Sequence, residues 1–325
     1  MSTPTFSMQV KGLFQPNTPK TTASPDLKLL TIWNGVTALV HAGIACFFIY
    51  TAISENDNVA RDAPLVRIAS CWDVQEDHST PPMPIFDIRN EFVDTGGSRK
   101  STIVACIITF HLLSAAFQGI PWFLYFQRHP FFVRYFNSVI GKNGAQVIRY
   151  TEYTVSAPLM VVAIGLSYGI LDVYTLLGLG ALTAVCMQFG LAADVMRVQA
   201  RDTTEEIRAV LKPYMYYFHM VSWATIIIPW VVIIHVFEDL RNNTYRTECN
   251  IPDGRVTTMP DAIFWVVFGE AFLFSLFGFV QVWQIWYFKN DTLKFGTRVE
   301  WLFVLLSLVS KTSLGLTIYS SSIFT

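Results

Sequence analysis

Charged residues are scarce in this sequence. They make up 14% of its 325 residues, whereas hydrophobic residues make up 52%, and the mean hydropathy is +0.40. A soluble domain carries about 25% charged residues, so this composition excludes an ordinary soluble protein. The formal net charge of −1 also argues against a nucleic-acid partner, which would favour a strongly basic surface.

Motifs of the common soluble enzymes are absent as well. The sequence has no Walker motif, no dinucleotide-binding glycine fingerprint, no HExxH and no pair of CxxC motifs. We therefore predict neither an enzyme nor a metal site, and we expect any chemistry to lie inside a helix bundle.

Long hydrophobic runs dominate the chain. Seven of them are long enough to cross a hydrocarbon core about 30 Å thick at about 1.5 Å per residue. They are predicted as helices over residues 29–53, 101–126, 145–171, 174–196, 213–238, 261–288 and 299–323. The sequence predicts an all-α, multi-pass membrane protein, a bundle of seven transmembrane helices in the plasma membrane or an equivalent lipid membrane. Residues 1–28 are predicted as a disordered tail and 29–325 as one domain.

Lysine and arginine are distributed unevenly between the two sides of this bundle. Thirteen lie in the tail and in the short connections on the N-terminal side, against eight on the other side, five of which fall in the long 54–100 loop. Because short cytoplasmic connections carry the excess of positive charge, we predict a cytoplasmic N-terminus and an extracellular C-terminus. The extracellular 54–100 loop could form a short β-hairpin, and its Cys71 could form a disulfide with Cys249 of the second outer loop.

Lys311 stands in the middle of the seventh hydrophobic run, about 12 residues from either end. That distance, about 18 Å, is too long for its side chain to reach an interface. A desolvated, neutral lysine amine is a nucleophile suited to condensing with an aldehyde. An interhelical ion pair and a transporter's substrate site are the alternatives. Ser307, one turn earlier on the same face, is close enough to hydrogen-bond the amine.

A carboxylate that could neutralise a cation at Lys311 lies in the third run. In VIRYTEYTVSAPLM, the residues Arg149, Glu152 and Ser156 fall on one helix face. We predict Glu152 as the counterion, and an Arg149–Glu152 ion pair within the helix is the alternative. Tyr153 could line the slot for a bound group or simply pack.

Three segments resemble one protein family. RYTEYTVSAPLM in the third run, LLSLVSKTSLG in the seventh and WNGVTALVHAG in the first are similar to the heliorhodopsins, and the similarity extends over all seven runs. The resemblance implies a distant relative of microbial rhodopsins with a cytoplasmic N-terminus, a homodimer, and all-trans retinal on Lys311 as a protonated Schiff base with Glu152 as its counterion. Around this pair it implies a hydrogen-bonded network of Ser307, Ser156, Arg149, Tyr153, His41, His111 and Asn34. A histidine that only packs in the core is the alternative for His41 and His111.

The resemblance implies a light sensor with a slow photocycle and a signalling partner of unknown identity. Ser307 replaces the second carboxylate of pumping rhodopsins, so an efficient outward pump is not expected. Glu270 in the sixth run and Glu238 at the end of the fifth have no role that the resemblance requires. Because intramembrane carboxylates are often functional, a proton path through these two residues forms a second hypothesis, a light-activated passive proton conductance that depolarises the membrane. A transporter that uses Lys311 as a substrate ligand is the third, and it predicts no visible colour with retinal.

Overall fold

The computed structural model describes residues 25–55, 96–167, 170, 172–246, 261–290 and 292–323. These residues include seven long helices: α1 (Pro25–Glu55), α2 (Gly96–Phe126), α3 (Val147–Ser167), α4 (Val173–Arg201), α5 (Glu205–Arg246), α6 (Asp261–Trp286) and α7 (Leu293–Ile323). A short helix (Pro130–Arg134) and a π-helical turn (Tyr135–Ile140) connect α2 to α3. No strand occurs in the described ranges, and the predicted hairpin, Cys71 and Cys249 lie outside them.

Each long helix coincides with one predicted hydrophobic run. Among the described residues, six helices are long and apolar enough to cross a membrane, namely α1, α2, α4, α5, α6 and α7. The remaining helix, α3, has 21 residues. It carries Arg149 and Glu152 near its start, and these two charged residues reduce its hydropathy.

The connection between α4 and α5 is shorter than predicted. The sequence predicts a connection over 197–212, whereas the structure leaves only residues 202–204 between the two helices. Arg208, which pairs with Glu205, also donates from Nε to the Ala200 carbonyl at 2.8 Å. Charged residues that pair in this way can continue a helix beyond the apolar segment, so helix ends need not coincide with the ends of the hydrophobic run.

The helices pack in chain order into a closed bundle. Each helix contacts the next, and α7 returns to pack on α1, α2 and α3. α5 packs on α4 and α6. The largest apolar core includes the fully buried side chains of Ile107, Phe110, Val161, Ile164, Ile233 and Leu314. This closure brings α3 and α7, which carry the predicted site residues, side by side.

The connection before α3 is fixed by buried polar groups. Arg197 of α4 donates from Nη2 to the Asn143 carbonyl at 2.8 Å, and Gln284 of α6 donates to Asn143 Oδ1 at 2.7 Å. Asn143 has φ 51°, a left-handed conformation that asparagine tolerates well. Asp194 accepts from the backbone N–H of Gln146 at 2.9 Å. These bonds hold the start of α3 in place.

At the other end of α3, Asp172 caps the start of α4. Its carboxylate accepts from the Thr175 hydroxyl at 2.5 Å and from the Thr175 backbone N–H at 2.6 Å. The hydrogen bonds from Thr175, that of the side chain first, lower the pKa of Asp172. Such caps satisfy the free N–H groups at a helix start.

Candidate functional site

The amine of Lys311 lies inside the bundle, in contact with a carboxylate and a hydroxyl. Lys311 Nζ lies 2.6 Å from Glu152 Oε1 of α3 and 2.5 Å from Ser114 Oγ of α2. The Ser114 hydroxyl in turn donates to Glu152 Oε1 at 2.6 Å. All three side chains are buried. Because a buried cation is costly without a partner, this arrangement stabilises a positive charge at Lys311.

Of the two predicted partners of Lys311, Glu152 and Ser307, the structure places only Glu152 in hydrogen-bond contact with the amine among the described residues. Glu152 is brought to the amine, whereas no hydrogen bond joins Ser307 to Lys311 among those described, and the hydroxyl in that position comes from Ser114. Ser307 and Ser156 are nevertheless fully buried nearby in the bundle wall. Ser114 was not predicted from the sequence. Its spacing from two other buried polar residues of α2, His111 and Gln118, could have indicated it.

Arg149 forms a second buried ion pair beside the first. Its Nη1 lies 2.7 Å from Glu300 Oε2 of α7, and its guanidinium carbon lies 3.6 Å from the centre of the Phe303 ring. The alternative that Arg149 pairs with Glu152 within α3 is therefore wrong, because Glu152 is paired with Lys311 instead. Glu300 was not predicted, since its position near the start of the seventh run resembles an ordinary polar helix end.

A small cavity is lined by Glu152 and by both members of the Arg149–Glu300 pair. It has a volume of about 40 Å³ and is lined among others by Asn34, Arg149, Glu152 and Glu300. Two donors of Arg149, Nε and Nη2, have no hydrogen-bond partner among the described residues. A polar cavity of this size has room for water. Asn34, Arg149 and Tyr153, three residues of the predicted network, thus share one cavity with the predicted counterion Glu152.

Tyr135 closes the same small cavity from the connection before α3. Its hydroxyl donates to Gln146 Oε1 at 2.9 Å. Burial raises the pKa of Tyr135, so the phenol stays protonated and acts as a donor.

The two predicted histidines form a pair between α1 and α2. His41 Nδ1 and His111 Nδ1 lie 2.9 Å apart, and both rings are fully buried. One hydrogen can lie between two such nitrogens, so one ring donates and the other accepts. Neither Nε2 atom has a partner among the described residues. The pair therefore holds one nitrogen atom, the Nε2 of the donating ring, that can accept a proton inside the bundle.

A larger cavity of about 320 Å³ extends from Lys311 between α3, α4, α5, α6 and α7. Apolar and aromatic side chains predominate in its lining, which includes Met160, Met187, Trp223, Ile226, Trp230, Phe274 and Phe277. Tyr153, Ser156, Ser307 and Lys311 also line it. Cavities of this size and character suit small organic ligands. A cavity of this character with a lysine amine in its wall suits an apolar molecule that carries a reactive carbonyl group.

The two carboxylates of the predicted proton path differ in burial. Glu270 of α6 is buried, and its Oε1 accepts from the Ser313 hydroxyl at 2.6 Å, whereas its Oε2 has no partner among the described residues. Glu238 is exposed near the end of α5. Within the described ranges, no group of three or more histidine, cysteine, aspartate or glutamate side chains could hold a metal ion.

Comparison with known families matches the chain almost from end to end. The family model described as Heliorhodopsin covers residues 30–323. The match confirms the resemblance that the sequence motifs predicted. No curated protein matches the sequence.

Proposed function

Since the chain belongs to the heliorhodopsin family, we propose that it is a retinal-binding photoreceptor that senses light. The observation that carries this proposal is the contact of 2.6 Å between Lys311 Nζ and Glu152 Oε1 at the wall of a cavity of about 320 Å³. When bound, all-trans retinal would supply light absorption and an isomerisable double bond, attached to Lys311 as a protonated Schiff base.

The side chains around Lys311 can stabilise the positive charge of a protonated Schiff base. Glu152 holds a negative charge at the lysine nitrogen, and Ser114 orients both partners through its hydroxyl. The nitrogen also lies 5.3 Å from the centre of the Tyr153 ring, which further stabilises a cation. The apolar wall excludes water and strengthens this pairing.

The histidine pair supplies a place for a proton that leaves the site. One of the two rings has an unprotonated Nε2 that meets no hydrogen-bond partner among the described residues, and both rings are fully buried. We propose that His41 and His111 accept the proton through the network that includes Ser156, Ser307 and Asn34. A change of charge at one buried site can bias a two-state helix bundle, which would pass the signal to a partner of unknown identity. No enzymatic activity forms part of this proposal.

Visible absorption tests retinal attachment. Protein from cells supplied with all-trans retinal should show a visible band, and Lys311→Ala should lack it. Lys294→Ala is the matched control, because Lys294 is an exposed lysine of the same helix. A visible band that persists in Lys311→Ala would overturn the assignment of the attachment site.

Passive proton conductance is the second candidate function. The observation that favours it is Glu270, a buried carboxylate of α6. Its Oε1 accepts a hydrogen bond from Ser313, which lies two residues from Lys311 in the sequence. Its Oε2 has no hydrogen-bond partner among the described residues. Glu238, exposed near the end of α5, would form the outer mouth of the path. Light-evoked current under voltage clamp separates the two functions. A current that follows the proton gradient and disappears in a coloured Glu270→Gln variant would establish conductance, whereas a coloured wild type without current would favour the sensor.

We also infer the topology and assembly that the family suggests: seven crossings with α3 as the third, a cytoplasmic N-terminus, an extracellular C-terminus and a homodimer. The exposed connection between α4 and α5 tests the orientation. A cysteine in Thr204→Cys should react with a membrane-impermeant thiol reagent only after the cells are opened. Labelling of intact cells above the wild-type background would reverse the orientation.

A further inference from the structure

A chain of hydrogen bonds crosses the wall of the large cavity and joins three helices. The indole Nε1 of Trp223 donates to His219 Nε2 at 2.9 Å, one turn along α5. His219 Nδ1 lies 3.3 Å from Gln281 Oε1 of α6. Gln281 Nε2 donates to the Gly190 carbonyl of α4 at 2.7 Å. All four residues line the cavity.

The two ends of this chain fix the direction of every bond in it. An indole nitrogen only donates, so His219 Nε2 must be the acceptor and carries no proton. A backbone carbonyl only accepts, so the amide nitrogen of Gln281 faces Gly190 and its oxygen faces His219. His219 is therefore neutral, with its proton on Nδ1, and one arrangement satisfies all the groups.

Packing holds the same indole from its other side. A Cβ atom built on Gly278 of α6 would lie 2.4 Å from Trp223 Cζ2, so the absence of a side chain at Gly278 lets the ring lie directly against α6. The Phe279 ring centre lies 5.5 Å from that of Trp223. The indole is thus held by a hydrogen bond at its nitrogen and by contact on its six-membered ring.

The indole and Lys311 line the cavity from two different helices. Trp223 belongs to α5, which packs on α4 and α6, whereas Lys311 belongs to α7, which packs on α6 and on α1, α2 and α3. A molecule attached to Lys311 that fills the cavity would extend toward α5. The position of the indole then limits how far such a molecule can reach and how large its distal end can be.

We propose that His219 is a positioning residue that fixes Trp223 as the end wall of the retinal cavity, so that the His219–Trp223 pair selects the size of the retinal ring. This inference rests on the proposed function, because it takes the cavity as the retinal site. Neither residue carries a reactive group of the photochemistry, and His219 acts only through Trp223. The ligand class selected is a retinoid aldehyde with a ring of limited size.

The first test measures the histidine without retinal. Nitrogen-15 NMR of labelled, retinal-free protein should show one histidine with a protonated Nδ1 and an unprotonated Nε2 that disappears in His219→Gln and shifts in Trp223→Phe. An Nε2-protonated ring or an imidazolium at His219 would overturn the proposed hydrogen-bond direction, and with it the positioning role.

The second test measures selectivity. Retinal competes with an analogue that bears a bulkier ring, and the ratio of the two pigments formed is read from their absorption. His219→Phe removes the acceptor and should reduce the preference for retinal about tenfold, as expected for the loss of one buried hydrogen bond. His219→Gln, which keeps an acceptor near the indole, should retain most of the preference. Trp223→Phe should resemble His219→Phe, and the double variant should lose little more.

Trp122→Phe is the matched control for the second test. Trp122 lies on Gly35 of α1 much as Trp223 lies on Gly278, but it lines neither described cavity. Its substitution should leave the selectivity unchanged. A wild type without pigment would overturn the proposed function together with this inference. Pigment whose selectivity is unchanged in both His219→Phe and Trp223→Phe would overturn the positioning role alone.

Discussion

Arg149 pairs with Glu300 on the neighbouring helix although Glu152 lies one turn away on its own helix. The carboxylate of Glu152 is already engaged by Lys311 and Ser114. Two buried ion pairs therefore lie side by side between α3 and α7, and each is close to neutral. Because Arg149 pairs with Glu300, Glu152 keeps its negative charge for the pair with Lys311.

Replacing Glu300, the acid of the Arg149–Glu300 pair, tests whether the two ion pairs are separate. In Glu300→Gln the guanidinium of Arg149, whose side chain is 3% exposed, keeps its charge without a full partner. Breaking a buried pair in this way costs about 3–5 kcal/mol of stability. The released Arg149 should also compete for Glu152 and shift the visible absorption band. Thermal unfolding and the absorption spectrum of the same sample measure both effects.

The double variant Arg149→Gln/Glu300→Gln is its control. With both charges gone, no buried charge is left unpaired, so much of the lost stability should return. A double variant no more stable than Glu300→Gln would show that the two charges do not act as a pair.

Ser114 should matter more to the site than Ser307. The Ser114 hydroxyl accepts from Lys311 and donates to Glu152, whereas no bond from Ser307 to Lys311 is seen among the described residues. Ser114→Ala leaves two buried charged groups each short of a hydrogen bond, at a cost of about 1–3 kcal/mol. We expect a clear shift of the absorption band and a lower unfolding temperature for Ser114→Ala, and smaller changes for Ser307→Ala. The reverse order would restore Ser307 as the partner of Lys311 that its position in the sequence predicted.

The capping carboxylate of α4 gives a prediction for pH. Hydrogen bonds from Thr175 lower the pKa of Asp172, so its carboxylate stabilises the folded state at pH values above the ordinary aspartate pKa of about 3.9. This contribution should disappear as the pH falls through the lowered pKa of the folded state. Since the side chain is partly exposed, the effect should be small.

The variant Asp172→Asn separates this titration from the others. Asparagine still caps the helix but does not titrate. Wild type should unfold at a higher temperature than Asp172→Asn at pH 6, and the difference should narrow at a pH well below the ordinary aspartate pKa of about 3.9. Comparison at equal pH cancels the contribution of the other carboxylates. A difference that is the same at both pH values would exclude the proposed role of this carboxylate.

Much of the fold could be predicted because lipid-spanning helices need long apolar runs. Seven runs correspond to seven long helices of the described chain. The ends of α5 could not be predicted in the same way, since residues such as Glu205 and Arg208 continue the helix through local pairing rather than through hydrophobicity. Hydropathy also understates α3, because its charged residues Arg149 and Glu152 pair with Glu300 and Lys311 of α7 inside the bundle and do not face the lipid.

The centre of the candidate site was predictable for a related reason. A lysine and a glutamate inside apolar runs are costly alone, so Lys311 and Glu152 were expected to meet, and they do. Ser114 and Glu300 were missed because a serine in a membrane helix costs little and a glutamate near a helix start is ordinary. Which of them faces the site depends on the rotation and register of neighbouring helices, and one sequence does not specify these.

The histidine pair can be tested by a substitution that leaves both histidines in the sequence. A Cβ atom on Gly315 of α7 would lie 3.2 Å from His111 Nε2, closer than an ordinary contact. In Gly315→Ala the ring must move, which should disturb the 2.9 Å contact between His41 Nδ1 and His111 Nδ1. Gly43→Ala of α1 is the matched control, because a Cβ atom there meets nothing within 4 Å.

Both substitutions place alanine in a helix interior, where it is favoured over glycine by about 1 kcal/mol. Gly43→Ala should therefore unfold at the same or a slightly higher temperature and keep the wild-type kinetics of light-induced absorption changes. Gly315→Ala should gain less stability than Gly43→Ala. It should also change the rate of the slowest light-induced absorption change by up to roughly tenfold, the factor that corresponds to about 1.4 kcal/mol in a barrier. Flash photolysis of both variants measures this rate. Identical kinetics in the two variants would mean that the histidine pair does not accept the proton.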